Sequence, residues 1–122
     1  MKKTSCALLL ALCASAGARA ECNVPEQPTL PDGAEASMEE MLAGQKAVKS
    51  FQEANMDYMK CMEARMAAAK QAGEDAETKD ARKAALETYT AAVEAYNKAV
   101  SAEETVAGDF NTQVREYKAA NK

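Results

Sequence analysis

Leu86, Val93, Val100, Ala107 and Val114 recur at every seventh position of this chain. Tyr89, Tyr96, Phe110 and Tyr117 hold the companion place three residues later. Two of the heptads nearly repeat, Tyr89-Thr90-Ala91-Ala92-Val93-Glu94-Ala95 and Tyr96-Asn97-Lys98-Ala99-Val100-Ser101-Ala102. A sustained seven-residue period keeps one side of an α-helix facing a partner helix; a strand would need a period of two. No proline follows Gly33, and the abundant Ala, Glu and Lys suit a long helix. The phase runs unbroken through Gly108, which argues for one continuous helix over about 76–120.

A partner helix lies just upstream. Ser37-Met38-Glu39-Glu40 fits a capping box, in which the Ser37 hydroxyl takes the Glu40 amide and the Glu40 carboxylate reaches back. The apolar positions Met41, Val48, Phe51, Tyr58, Met59, Met62, Met66 and Ala69 then fall within an arc of about 100°. Asn55 lies in the same arc. Gly73 is suited to a helix C′ position, so this helix is expected over about 37–72. A short connection makes the two helices antiparallel neighbours. Folding about Gly73 pairs residues whose numbers sum to about 148, setting Leu86 against Met62, Tyr89 against Met59 and Val100 against Val48. Phe110 then lies near Met38, and Val114 and Tyr117 overhang. The fold expected is all-α: a long, coiled-coil-like antiparallel two-helix hairpin over 37–122, preceded by an extended arm.

The arm is residues 21–36, which hold all three prolines, Pro25, Pro28 and Pro31, and then Asp32-Gly33. Proline fixes φ and removes a donor, so the segment is extended, with a turn near Asp32-Gly33. Residues 1–20 read as a secretory signal peptide: Lys2 and Lys3, an apolar run from Cys6 to Ala16, and Ala18-Arg19-Ala20 before the cut. Lipid anchoring at Cys13 is disfavoured, because Leu12 ahead of it is not small. Of the 15 basic residues Lys2, Lys3 and Arg19 leave with the signal, so the mature chain sets 12 against 19 acidic ones, a net charge of −7. That balance disfavours nucleic acid and anionic lipid as partners. No mature segment is apolar enough to span a bilayer.

Cys22 and Cys61 remain after cleavage. In an exported protein of this size one intramolecular disulfide is the simplest outcome; free thiols and pairing between chains are the alternatives. Ser37 to Cys61 spans about 36 Å of helix, and the arm can reach about 50 Å when extended. The arm is therefore long enough to run back along the first helix and bond Cys61 on its flank. Cys22, the spaced prolines, Pro31-Asp32-Gly33, the Ser37-capped helix and Cys61 together resemble small exported proteobacterial proteins of unknown function. The likeness covers roughly Cys22 to Met62. It implies a helical exported protein and brings no activity with it.

The chain has no His and no Trp, which excludes Ser–His and Cys–His nucleophile pairs and histidine metal sites. It has no glycine-rich phosphate loop. Its carboxylates fall on solvated helix faces, so we expect no enzyme and no cofactor. Met56, Met59, Met62 and Met66 are soft thioethers at helical spacing that would suit Cu(I); core packing explains Met59, Met62 and Met66 without a metal, with Met56 alone pointing away. Asn55 and Glu103 interrupt the two apolar stripes. The register sets Glu103 opposite Gln45, and both residues read as a polar layer that fixes alignment, with a ligand contact as the sharper alternative. The overhang near Phe110, Val114 and Tyr117 is the expected partner surface, for an unknown protein or a second copy in the periplasm.

Overall fold

The computed structural model describes residues 21–122; the expected signal peptide, with Cys6 and Cys13, lies outside the described residues. Two helices, α1 (Met38–Asp75) and α2 (Lys79–Ala120), pack antiparallel as a hairpin. The extended arm of residues 21–36 ends in a turn at 33–35. Among the described residues there is no strand, and the fold is the all-α hairpin read from the heptads.

Each helix starts on a side-chain cap. The Glu40 amide donates to Ser37 Oγ at 3.2 Å, while Ser37 N and Oγ donate to Glu40 Oε2 at 2.7 and 2.9 Å. The bond from the Ser37 backbone, followed by that from its hydroxyl, holds the Glu40 carboxyl below its ordinary value. Helix α2 opens on Thr78, whose Oγ1 accepts from the Ala81 amide at 3.1 Å.

Helix α1 does not stop at Gly73. No glycine of the described chain has a positive φ, so Gly73 is not a left-handed cap. It continues the helix, its small size bringing Ala85 close: a Cβ there would lie 3.6 Å from that of Ala85. The helix ends at Asp75, where Ala76 turns extended and Thr78 starts the next helix. Moving the connection to 76–78 shifts the pairing. Gly44 meets Phe110 and Asn55 meets Ala99, so paired residue numbers sum to about 155 rather than 148. Most of the expected overhang disappears, because Met38 now lies level with the last turns of α2.

The buried column of α2 also differs from the expected one. Ala85, Ala92, Ala99 and Val106 are buried, one residue ahead of each member of the Leu86–Val114 series. Leu86 is 63% exposed, and Val93, Val100, Ala107 and Val114 are only half-buried. Volume complementarity accounts for this. Helix α1 supplies the large side chains Phe51, Tyr58 and Met62 to the interface, and an alanine column opposite lets them interdigitate while the axes approach. A Leu–Val column in the same place would force the helices apart. Tyr96 packs from the side, as expected of the companion positions, while Tyr89 is 39% exposed.

Asn55 is 1% exposed at the centre of the interface. Its Nδ2 donates to the Ala99 carbonyl at 2.9 Å and to Glu103 Oε2 at 3.3 Å. The two polar interruptions of the stripes thus meet each other, and not Gln45 as the earlier register implied. A slip of one heptad would offer the amide another backbone carbonyl but would put Tyr96 or Phe110 in the place of Glu103, so the Asn55–Glu103 contact is the part of the layer that is specific to this register.

Cys22 and Cys61 form the disulfide, with Cα atoms 5.7 Å apart. From there the arm runs back along the hairpin. Leu30 packs on the Val48–Phe51–Val106 cluster, and Gly33 N donates to Gln113 Oε1 at 2.7 Å. Two glycines permit this approach. A Cβ on Gly33 would run into the Gln113 carbonyl, and one on Gly44 would lie 2.7 Å from Pro31 Cδ and 3.2 Å from the Phe110 ring.

Three measurements by urea denaturation follow from this packing. Gly44→Ala should destabilise by about 1–2 kcal/mol through overpacking against Pro31, whereas Gly108→Ala, with open space around it, should stabilise by about 0.5–1 kcal/mol. Asn55→Ala should cost about 2 kcal/mol, and Glu103→Ala less than half of that, because Asn55 keeps its shorter bond to Ala99. Replacing Cys22 and Cys61 together by Ser should cost about 4 kcal/mol, from the closed loop of 39 residues' separation.

Candidate functional site

A two-helix hairpin has two grooves, one on either side of its buried seam, and here they differ. On α2, Ala95 and Ala102 lie about 60° to one side of the alanine column, while Leu86, Val93, Val100 and Val114 lie about 100° to the other. On α1, Cys61 falls on one flank of the buried stripe and Met59 and Met66 on the opposite one, by the same period. Because the helices are antiparallel, Cys61 shares its groove with Ala95 and Ala102, and the methionines share theirs with the Leu–Val column.

The arm occupies the first groove. Val24, Pro25 and Gln27 face Phe51, Asn55 and Tyr58 of α1 and Ala95, Ala99 and Ala102 of α2 across a cleft of about 440 Å³. The cleft is lined largely by alanine and aromatic carbon, with Glu94 and Lys98 in its α2 wall. Its deepest polar group, Asn55, already bonds Ala99 and Glu103. No nucleophile stands beside a base there, so the cleft has no evident acid–base chemistry to offer.

Among the described residues nothing covers the second groove. Met59 and Met66 are half-buried in its α1 wall, and Val93 and Val100 in its α2 wall. Around them stand Leu42, Met56 and Leu86, exposed by 57%, 48% and 63%. Lys49, Glu63 and Lys70 lie on the α1 rim, none in a salt bridge among the described residues; the α2 rim holds Lys83, Thr90, Asn97 and Glu104, with neutral Thr90 and Asn97 at its middle.

The residues singled out in the sequence are distributed as follows. Phe110 packs on Val48, Phe51 and Val106 beside Gly44, inside the hairpin. Val114 and Tyr117 are half-buried; Val114 continues the exposed column of α2, and the Tyr117 carbonyl accepts from Asn121 N and Nδ2 at the end of the helix. Met62 is 2% exposed and packs with Tyr58 and Ala99, with Met59 against the same cluster. Met56 points outward as expected. Met59 and Met66 stand two turns apart, about 10.5 Å along the axis. Three thioethers could converge on one ion only if Met62 left the core, so packing accounts for this group. Among the described residues no cluster of three His, Cys, Asp or Glu side chains could hold a metal, and no helix is long and apolar enough to cross a membrane.

The uncovered flank was missed in the sequence because its α2 members were assigned to the seam. The signal was present: α2 carries two adjacent heptad columns, alanine at one and Leu or Val at the next, and a single partner helix can bury only one of them fully. Comparison of the chain with protein-family models, with characterised proteins and with solved structures finds no match.

Proposed function

We propose that this chain is an exported, non-enzymatic helical protein that acts in the periplasm by docking another protein surface onto the uncovered flank of its hairpin. The observation that carries this reading is the asymmetry of the two grooves. The arm covers one, while the other carries Met59, Met66, Val93 and Val100 half-buried in its walls and Leu42, Met56 and Leu86 exposed at intervals along it, with Lys49 and Glu63 between them. Apolar surface rimmed by polar and charged side chains is a mark of interaction sites, and methionines make such a face adaptable. Export is supported by Lys2, Lys3, the apolar run after them and Ala18-Arg19-Ala20, and by a disulfide, which persists in oxidising compartments. The absence of histidine and the spread of carboxylates over solvent-facing positions support a role without catalysis. Of the expected contact residues, Val114 belongs to this flank; Phe110 is engaged in the hairpin's own packing.

Site-specific photo-crosslinking in producing cells tests the reading. A benzophenone side chain at Leu86 or Met56 should give discrete protein adducts, and one at Thr105, on the arm-side flank of α2 in line with Ala91 and Lys98, should give few or none. Equal labelling at the three positions, or none at Leu86 and Met56, would sink it.

A further inference from the structure

We propose that the uncovered flank is closed by a second copy of this chain, two hairpins meeting antiparallel about a two-fold axis that passes beside Met56. The inference rests on the reading of that flank as an interaction surface and names its partner. Its basis is the order of residues along the outer α1 column. Lys49 and Glu63 stand seven residues before and after Met56 on the same side of the helix. An antiparallel pair centred on Met56 sets that thioether against its own copy. It brings Lys49 to Glu63 of the partner subunit, and, by symmetry, Glu63 to the partner subunit's Lys49, while the ends of the column set Leu42 beside Lys70 of the partner subunit. The column nearer α2 obeys the same axis, with Gln52 falling beside Met59 of the partner subunit. A parallel pairing in register would instead oppose like charges, so the charge order selects one orientation.

The dimensions agree with a stable dimer. Leu42 to Lys70 spans about 42 Å of helix, and two packed helices are about 20 Å wide. The face therefore offers roughly 800 Å² per copy, the size of a standard specific interface. The α2 half adds Val93 and Val100, with neutral Thr90 and Asn97 at the middle of its rim and Lys83 and Glu104 beyond them. The product is a four-helix arrangement in which both arms lie on the outside.

Sedimentation velocity of the disulfide-bonded protein across a range of concentrations, with circular dichroism as the check on folding, tests the assignment. The protein should sediment as a dimer. Lys49→Glu and Glu63→Lys, each of which sets like charges together at both ends of the interface, should each raise the dissociation constant about tenfold or more at unchanged helicity. The double variant Lys49→Glu/Glu63→Lys should return it to near the original value, which a loss of folding in either single variant would not do. A monomer at every concentration, a dimer indifferent to the single reversals, or a double variant no better than the singles would each overturn the two-fold pairing. The crosslinking at Leu86 and Met56 separates the two failures. Adducts of masses other than twice the chain would leave the flank an interaction surface with a different partner, and no adducts would remove both.

Discussion

The close approach of α1 and α2 along the alanine column is the contact on which the rest of the structure depends. Ala85, Ala92 and Ala99 present almost no side chain, so Tyr58 and Met62 pack directly on Ala99, and Phe51 packs on Val106. That proximity lets the Asn55 amide reach the Ala99 carbonyl at 2.9 Å. A leucine column in the same place would hold the helices further apart and strand a buried amide. The alanine column also determines which apolar surface is left over: the Leu86, Val93 and Val100 side chains, which an ordinary heptad reading would bury, become one wall of an open groove.

A hairpin of two helices has little interior, and this one is completed from outside its own seam. The arm adds Leu30 to the Val48–Phe51–Val106 cluster and ties down at Cys61 and at Gln113. Gly44 and Gly33 matter there for their missing Cβ atoms, since the arm crosses α1 and α2 at those two places at near-contact distance. The arm can cover only one groove, because a single extended strand of chain has one path from Cys61 to Ser37. The asymmetry between a closed and an open side is therefore built into the connectivity, and the open side is where we place the protein's function.

Much of the fold was legible because its determinants are local. The capping box at Ser37, the continuous α2 through Gly108, the extended arm and the Cys22–Cys61 pairing each follow from a few neighbouring residues or from reach along a helix. The register was not legible to the residue. Gly73 resembles a helix stop in isolation, yet it is helical, and the shift from 148 to about 155 in paired numbers follows from that single boundary. Asn55 and Glu103 were both recognisable as polar interruptions, but their meeting depended on the same register.

The sequence by itself determined that the chain is a helical hairpin with a tethered arm, because heptad spacing, caps, prolines and cysteines act through the chain's own geometry. The tertiary structure alone decided which heptad column faces α1, since two adjacent columns have the same period and differ only in volume. That choice is made by fit against Phe51, Tyr58 and Met62, residues distant in the chain. With it came the location of the open groove, a surface defined by what neither the partner helix nor the arm has room to cover.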